Sequence, residues 1–274
     1  MTKKVKNILI TGGTRGLGLK YAHFLAKKGY NIGISDISKT ACKVYEEASS
    51  VDEILSELKD YGIEAWYESA NLIDPIQSKK LVKNFVEHFG EIHGVITNAG
   101  GDVSGKDLDA AGGKPKNNSF FISYEESDNI FSRNYNTCLN TLRSVIPYMM
   151  KQNFGKVITV SSINAAIGVE RETTYSIAKA SVLQLTRSLA TEVRKNGINV
   201  NCIMPGPVRT GRFMATLKGR NPHDLENLKT KSRLERVADP EDVAAVVEFL
   251  ISPASDFISG EVIKIDGGLF NQSI

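Results

Sequence analysis

The sequence predicts an α/β protein with a single doubly wound parallel sheet and helices on both faces. Two observations lead to this fold class. Short apolar runs alternate with segments of helical periodicity along the 274 residues, and a glycine-rich turn separates the first run from the first helix. Strands that are separated by helices pair in parallel through right-handed crossovers.

Each predicted strand is a short apolar run. The first run is stopped by a glycine, as expected of a parallel strand that is buried on both faces. The other runs follow in the same alternation with helical segments. The predicted strands are Val5–Ile10, Asn31–Ser35, Ile63–Glu68, Val95–Thr97, Lys156–Ser161, Asn199–Ile203 and Val262–Ile265.

The predicted helices carry apolar residues on one side, and the first two stop at glycines. In the first helix Tyr21, Phe24 and Leu25 share one side, and Gly29 ends it. Gly62 ends the second helix in the same way. The predicted helices are Leu17–Lys28, Val51–Tyr61, Pro75–Phe89, Ile130–Met150, Ser176–Lys195 and Pro240–Ile251.

Composition and charge narrow the function classes. Apolar residues are 41% and charged residues 24%, which excludes disordered and fibrous classes. A net charge of +3 predicts neither nucleic-acid nor membrane binding, and no window of about 18 apolar residues exists to span a membrane. Cys42, Cys138 and Cys202 are scattered, which suits a reducing compartment and predicts a cytoplasmic location. The four histidines lack a ligand pattern, so we expect no metal site.

The glycine turn, Thr11–Gly18, follows the first strand and opens the first helix. Gly12 permits a backbone conformation with positive φ, Gly16 permits close approach to a pyrophosphate, and Gly18 permits helix-to-strand packing. The N–H groups of the first helical turn can then hold phosphates. The turn therefore predicts a dinucleotide site, and the alternative is a tight turn that binds nothing.

Asp36 closes the second strand, where an adenosine ribose would lie. A carboxylate there can accept hydrogen bonds from both ribose hydroxyls, and it would repel a 2′-phosphate. Arg15 favours the opposite choice, because a guanidinium can bind that phosphate. We predict NAD as the cofactor, with NADP as the less favoured one. The alternative role of Asp36 is a helix N-cap before Ser38.

Tyr175 and Lys179 stand four residues apart at the start of a helix, so their side chains share one face. A tyrosine has a pKa of about 10, and a neighbouring ammonium lowers it by favouring the phenolate. Ser162, at the end of the fifth strand, can hydrogen-bond a substrate oxygen. These residues predict proton transfer that accompanies hydride transfer. The alternative is an ordinary surface pair on an amphipathic helix.

Further short motifs follow the glycine turn in a fixed order. They are Asn98-Ala99-Gly100, Asn134-Tyr135-Asn136-Thr137, Ile146-Pro147, Ser161-Ser162, Tyr175-Ser176-Ile177-Ala178-Lys179, Pro205-Gly206-Pro207-Val208-Arg209-Thr210 and Asp266-Gly267-Gly268. In this order they resemble the short-chain dehydrogenase/reductase family over nearly the whole chain. Thr97 departs from the pattern, since the family more often has asparagine there, and Asn71 stands where the family usually has aspartate.

The resemblance implies a Rossmann-like NAD(P)-binding domain over residues 1–274 and a catalytic tetrad of Asn134, Ser162, Tyr175 and Lys179. Lys179 would also hold the nicotinamide ribose, and Asn134 would position a water in a proton relay. Asn71 would contact adenine, and Thr210 would contact the carboxamide. The implied cofactor-binding residues are Gly12, Thr14, Arg15, Gly16, Leu17, Gly18, Asp36, Ile37, Asn71, Leu72, Asn98, Ala99, Gly100, Tyr175, Lys179, Pro205, Gly206, Val208 and Thr210.

The resemblance also implies a homotetramer, and two segments exceed the usual family spacing. The chain is a few residues longer between Asp36 and Gly62. It is longer by about a third between Gly100 and Asn134, mostly in the polar stretch 104–119. That stretch leaves the fourth strand at the edge of the sheet where ligands bind. It is either a rim of the substrate pocket or a surface insertion.

Residues 209–236 are predicted to form a lid over the substrate. The lid carries eight basic side chains against three acidic ones, a net charge of +5. A positive lid would concentrate an anion near the nicotinamide, with Arg209 and Arg212 as the candidates for direct contact. This predicts an anionic substrate or one delivered on an acidic carrier protein. The alternative is a solvated lid whose charges only keep it soluble.

The predicted function is therefore hydride transfer between NAD(H) and a secondary alcohol or ketone, with a tyrosine as general acid and base. The alternatives are an NADPH-dependent 3-oxoacyl-thioester reductase and a dinucleotide-binding regulator without turnover. A nucleotide-sugar epimerase shares the tyrosine–lysine pair, but its glycine spacing and chain length fit this sequence poorly. Small molecules are the expected partners, without nucleic acid or membrane.

Overall fold

The strands lie side by side in one parallel sheet. The computed structural model describes residues 6–101, 120–170, 172–216 and 229–270. The strands in these ranges are β1 (Asn7–Thr11), β2 (Asn31–Asp36), β3 (Ala65–Ser69), β4 (Gly94–Thr97), β5 (Gly155–Val160), β6 (Ile198–Pro205) and β7 (Val262–Ile265). Their order across the sheet is β3-β2-β1-β4-β5-β6-β7.

Helices connect the strands. They are α1 (Gly16–Ala26), α2 (Val51–Lys59), α3 (Pro75–Phe89), α4 (Tyr124–Phe131), α5 (Thr137–Gln152), α6 (Thr173–Val193), α7 (Gly211–Thr216) and α8 (Pro240–Ile251). A π-helical turn, Ser132–Asn136, joins α4 to α5. Short 3₁₀ turns occur at Ala41–Tyr45, Ile163–Ala165, Arg194–Asn196 and Pro253–Ser255.

The strand order reverses at β1, which confirms the doubly wound fold. The chain runs outward from β1 through β2 to β3 and then returns to β4 on the other side of β1. Thr11 and Thr97 pair at the carboxyl ends of β1 and β4. Ligands of such sheets bind in the crevice outside the carboxyl ends at this reversal. The predicted site residues follow these strand ends.

Both faces of the sheet are covered, as the unbroken apolar strands predict. Side chains alternate along a strand, so Ile8 and Ile10 face one layer while Leu9 faces the other. The first layer includes Leu25 of α1 and further residues of α2 and α8. The second includes Phe85 of α3 and further residues of α5 and α6. Two apolar layers therefore fix the sheet and the strand ends that carry the site.

The predicted helix Ile130–Met150 begins too late, because the helical segment starts at Tyr124. Ser123 and Glu126 form a capping box: the Ser123 hydroxyl accepts from the Glu126 amide at 3.2 Å, and the Glu126 carboxylate accepts from the Ser123 amide at 3.2 Å. Polar residues occupy most of the first turn of α4, so apolar periodicity does not reveal it. The Ser-x-x-Glu spacing was the available signal.

Two predicted segments lie outside the described ranges, the first wholly and the second, the lid, in part. These are the polar stretch 104–119 and residues 217–228 of the lid. Within the described ranges, no helix has both the length and the apolar character needed to cross a membrane.

The three cysteines are free thiols in the interior of the fold. Cys42, Cys138 and Cys202 are 0%, 3% and 0% exposed. Burial raises the pKa of Cys138 and of Cys202 to about 11 in each case, because a thiolate loses its hydration there. The thiolate is the reactive form, so both groups are expected to be inert at neutral pH.

We predict that iodoacetamide at pH 8 alkylates Cys138 and Cys202 at least about a hundredfold more slowly in the folded protein than in urea, because of both the raised pKa and the lack of access. Peptide mass spectrometry after timed quenching measures the rates. Equal labelling rates in the two states would contradict the burial of these thiols.

Candidate functional site

The glycine turn brings the end of β1 and the start of α1 into close contact. Gly12 has φ +62° and Gly16 has φ +55°, values that favour glycine. A Cβ added at Gly18 would collide with the Gly12 carbonyl oxygen, so this position excludes any side chain. The turn therefore aims the amides of the first turn of α1, which includes Leu17, at the crevice between β1 and β4.

The segment after β4 closes on this turn. The Asn98 side-chain amide donates to the Gly12 carbonyl at 3.0 Å, and the Ala99 amide donates to the Thr11 hydroxyl at 3.1 Å. A Cβ added at Gly12 would lie 3.0 Å from the Ala99 Cα. Two motifs that are more than 80 residues apart in the chain thus form one surface.

Asp36 ends β2 and is 8% exposed. Its carboxylate accepts from the Thr14 hydroxyl at 2.6 Å and from the Ile37 amide at 2.9 Å. The alternative of a helix N-cap is wrong, because the next helical turn begins at Ala41 with Thr40 as its N-cap. Asp36 is instead held against the glycine turn, at the position predicted for the adenosine ribose.

Three further residues frame the predicted adenosine side of the crevice. Asn71 follows β3, and its side-chain oxygen accepts from the Ile73 amide at 3.2 Å, while Leu72 is buried. Tyr67, which the sequence analysis did not single out, lies on β3. Burial and the negative charge of Asp36 raise the pKa of Tyr67 to about 12, so its phenol stays protonated.

The Arg15 guanidinium packs over the Tyr45 ring, with the Arg15 Cζ 5.5 Å from the ring centroid. Through this cation–π contact, Arg15, the one basic side chain of the glycine turn, packs on the segment between β2 and α2. Arg15 therefore has a packing role in addition to the phosphate contact that the sequence suggests.

Asn134 lies in the π-helical turn and is 1% exposed. Its side-chain amide donates to the carbonyls of Ile130 at 2.8 Å and Gly101 at 3.0 Å, and its side-chain oxygen accepts from the Gly101 amide at 2.8 Å. A π-helical turn leaves backbone groups without their usual partners and is frequent at functional sites. Asn134 satisfies one such carbonyl and fixes the end of the β4 segment.

Lys179 is 5% exposed, and its ammonium donates to the Val160 carbonyl at 3.0 Å. The same nitrogen lies 5.7 Å from the centroid of the Tyr175 ring, so the two side chains share one face of α6 as the spacing predicts. A Cβ added at Gly100 would lie 2.9 Å from the Asn134 side-chain oxygen and 3.5 Å from the Lys179 nitrogen. Gly100 therefore lies close to the side chains of both Asn134 and Lys179.

Ser162 directly follows Ser161 at the end of β5 and caps the 3₁₀ turn Ile163–Ala165. Its hydroxyl accepts from the Asn164 amide at 3.3 Å, and this 3₁₀ turn packs against α6. The Ser161 hydroxyl donates to the Lys179 carbonyl at 2.8 Å. The serine pair thus connects the end of β5 to the helix that carries Tyr175 and Lys179.

The segment after β6 forms the remaining wall. The Gly206 amide donates to the Ile265 carbonyl at 2.9 Å, and a Cβ at Gly206 would lie 3.0 Å from the Asp266 Cβ. Pro205 ends β6, and Val208 forms a parallel bridge with Ala238. This wall leads to Thr210, which is the nearest side chain to a Cβ added at Gly16, at 4.0 Å.

Two arginines of the predicted lid lie beside acidic side chains in the part of the chain that the structure describes. The Arg236 guanidinium donates twice to the Asp242 carboxylate, at 2.8 and 3.0 Å, and Arg209 lies 3.8 Å from the Asp239 carboxylate. Both acids belong to the capped start of α8. The Arg212 guanidinium lies against the backbone of Gly101 and would collide with a Cβ there.

Glu47 is a site residue that the sequence analysis missed. Its carboxylate accepts from the Gly16 amide at 2.7 Å and from the Gly211 amide at 3.0 Å. The available signal was the extra length between Asp36 and Gly62, which contains this residue. Apolar periodicity and motif spacing reveal nothing about where such a loop folds.

These residues fit a dinucleotide of the NAD(P) type. The Gly16 position, where an added Cβ would meet nothing closer than 4.0 Å, and the first turn of α1 suit a pyrophosphate, while Asp36 suits a ribose. Within the residues that the structure describes, no group of three or more histidine, cysteine or acidic side chains could hold a metal ion.

Comparison with known proteins shows the family of the chain. The family model described as enoyl-(acyl carrier protein) reductase matches residues 12–270, and the chain belongs to the short-chain dehydrogenase/reductase family. Cyclohexanol dehydrogenase of Rhodococcus sp. (strain TK6) is 32% identical over 270 residues, which are 96% of each chain. The 3-oxoacyl-[acyl-carrier-protein] reductase FabG of Staphylococcus aureus (strain N315) is 30% identical over 98% of this chain and 99% of its own.

Solved structures show the same fold. The crystal structure of levodione reductase superposes with a TM-score of 0.82 and 27% identity over 96% of both chains. The protein is accordingly an oxidoreductase of the short-chain type, which acts on CH–OH or keto groups with NAD(P)(H). The relatives differ in the substrates that their names state.

Proposed function

We propose that this protein is a dehydrogenase that transfers a hydride between NAD(H) and a secondary alcohol or ketone, with Tyr175 as the general acid and base. The observation that carries the proposal is the convergence of Asn134 and Lys179 on Gly100, with the Lys179 ammonium beside the Tyr175 ring. The nicotinamide, when bound, accepts or supplies the hydride. The chain's own residues handle the proton and hold the reactants.

In the oxidation direction the substrate hydroxyl gives its proton to the Tyr175 phenolate as the hydride leaves the same carbon. The Lys179 ammonium stabilises the phenolate electrostatically, and the buried position of Lys179 strengthens this effect. The Ser162 hydroxyl holds the substrate oxygen. In the reduction direction Tyr175 returns the proton to the oxygen of the ketone.

We assign Asn134 a positioning role. Its side-chain amide is committed to the backbone of Ile130 and Gly101, so it fixes the bend between α4 and α5 and the end of the β4 segment. This bend sets the distance from Gly100 to Lys179. The proton relay that the resemblance implies would then pass beside Asn134. Asn134 would hold the backbone around that relay in place.

NAD is the proposed cofactor because Asp36 presents a buried carboxylate at the ribose position. Thr14 and the Ile37 amide hold this carboxylate in place, and it would lie against a 2′-phosphate. Arg15, the side chain that could compensate, packs on Tyr45. The remaining implied cofactor contacts, Asn71, Leu72, Pro205, Val208 and Thr210 among them, are part of this proposal.

A second candidate is reduction of a 3-oxoacyl thioester with NADPH, which the similarity to the FabG reductase favours. The two candidates differ in cofactor and in the carrier of the substrate, so a panel of cyclohexanol, polyols, hydroxy acids, steroids and oxoacyl thioesters with each cofactor separates them. A regulator without turnover is the least favoured candidate, because all four tetrad positions are filled.

We also propose an anionic substrate group beside Arg212. The Arg212 guanidinium lies against the backbone of Gly101. Gly101 is bonded in turn to Asn134. A carboxylate of the substrate at this point would lie close to the tetrad.

A homotetramer remains part of the proposal. Exposed apolar side chains on or beside α5, α6 and β7 suit contacts between subunits. They are Met150, Ile177, Phe257 and Leu269.

The first prediction of this function concerns the proton. Tyr175→Phe should lower kcat by about 10² to 10⁴-fold, because general acid–base catalysis contributes about that much, and should leave NADH affinity nearly unchanged. Steady-state kinetics on the best substrate of the panel and a fluorescence titration with NADH measure the two effects. Tyr148→Phe, on α5, is the control and should match the wild type. A Tyr175→Phe variant that keeps most of its kcat would refute the assignment.

The second prediction concerns the cofactor. The wild-type enzyme should have the higher kcat/KM with NAD, and Asp36→Ala should reduce the NAD-to-NADP ratio about tenfold or more, since a charge repulsion of about 1–4 kcal/mol disappears. Asp60→Ala removes an exposed carboxylate at the end of α2 and should leave the ratio unchanged. A wild-type preference for NADP would reject NAD as the cofactor.

The third prediction concerns substrate charge. Arg212→Ala should raise KM for a 3-hydroxy acid about tenfold, the order of a lost charge-assisted hydrogen bond, and should leave KM for its methyl ester unchanged. Rising salt should raise the KM of the acid alone. Arg233→Ala makes the same change in net charge at an exposed lid position and serves as the control. If acid and ester respond alike to Arg212→Ala, the substrate does not need an anion there.

A further inference from the structure

The segment between β2 and α2 folds over the glycine turn. Its 3₁₀ turn, Ala41–Tyr45, buries Ala41 and Cys42 against the core, which anchors the segment. Glu46 then reverses the chain with φ +56°. The reversal directs the next residue, Glu47, back toward the start of α1.

The Glu47 carboxylate bridges two backbone amides from distant parts of the chain. One oxygen accepts from Gly16 at 2.7 Å and the other from Gly211 at 3.0 Å. Gly16 is the first residue of α1, and Gly211 is the first residue of α7. Both bonds are charge-assisted, which makes them stronger than ordinary amide bonds.

Close packing supports this bridge. A Cβ added at Gly211 would lie 2.7 Å from the Tyr45 Cβ and 3.0 Å from the Glu47 Cδ, so the segment meets α7 without a gap. On the other side the Tyr45 ring carries the Arg15 guanidinium. The segment thus touches both walls of the crevice in which the dinucleotide is proposed to bind.

Glu47 therefore accepts from the Gly16 amide, which is one of the donors proposed for the pyrophosphate. The first-turn amides of α1 are the proposed holders of the pyrophosphate, and a Cβ added at Gly16, unlike one at Gly12, Gly13 or Gly18, would meet nothing closer than 4.0 Å. An amide whose hydrogen bond goes to a carboxylate is not available to a phosphate, and a carboxylate at this distance repels a phosphate electrostatically. The carboxylate and the pyrophosphate cannot both take this position.

We propose that Glu47 is an internal competitor for the pyrophosphate position, and that the dinucleotide enters by displacing its carboxylate from Gly16 and Gly211. The inference rests on the proposed cofactor site in the glycine turn. It gives the extra residues between β2 and α2 a function: they set the affinity for the cofactor and control its exchange.

The test measures binding rather than turnover. Glu47→Gln keeps the size of the side chain, but its NH₂ group cannot accept from an amide, so one bond of the bridge and the negative charge are lost. We expect this variant to bind ADP-ribose, which contains a pyrophosphate, about tenfold more tightly than the wild type by calorimetry. Affinity for adenosine, which has no phosphate, should not change.

Glu46→Gln is the matched control. It removes the same charge from the neighbouring, exposed residue and should leave both affinities at wild-type values. Hydrogen exchange supplies a readout without ligand: the segment that contains Gly16 should exchange faster in Glu47→Gln than in Glu46→Gln. Thermal unfolding of each variant checks that the fold is intact.

Unchanged or weaker ADP-ribose binding by Glu47→Gln would overturn the inference, as would equal tightening in Glu46→Gln, which would trace the effect to net charge alone. These results would leave the proposed cofactor site in place. Failure of ADP-ribose to bind the wild type and both variants would instead reject the cofactor site, and the inference with it.

Discussion

Between β1 and α1 the backbone turns so tightly that a side chain at Gly18 would collide with the Gly12 carbonyl oxygen. This contact positions α1 on the sheet and aims its first amides at the crevice. The same carbonyl accepts from the Asn98 side chain, so the end of β4 is fixed by the turn as well. Through these two contacts the turn connects the proposed phosphate site to the end of β4.

Asn134 connects the segment after β4, on the proposed cofactor side, to the helix segment on the proposed catalytic side. Its buried amide makes three hydrogen bonds to backbone groups, which leaves little freedom for Gly100 and Gly101. Leaving such buried polar groups unpaired costs about 1–3 kcal/mol each. Lys179 approaches the same glycine from α6, and its ammonium bonds to Val160 on β5. Asn134 and Lys179 of the proposed tetrad are held by backbone contacts, and the Lys179 ammonium also lies beside the Tyr175 ring.

The sequence predicted the fold and the strand ends well, because both depend on local patterns. Apolar runs ending in glycine locate β1, and the four-residue spacing brings Tyr175 and Lys179 together on α6. The start of α4 was missed, since its first turn is polar and only the Ser123–Glu126 capping box indicates it. The charge of residues 209–236 does not reveal which of their arginines are paired, because Arg236 pairs with Asp242, which lies outside this segment.

Glu47 shows most clearly why part of the site escapes prediction. Its partners Gly16 and Gly211 stand 31 and 164 residues away, and no periodicity links the three positions. Only the folded chain brings these three residues together. The loop between β2 and α2 does so, and its extra length is its one visible feature in the sequence. The consequence extends to the substrate, because Gly211 begins α7 and its next residue is Arg212. The Glu47 carboxylate accepts from the Gly211 amide, and the guanidinium of the next residue, Arg212, lies against Gly101. A single acidic side chain thus bonds to the start of α1 and to the residue before Arg212, a link that no local pattern encodes.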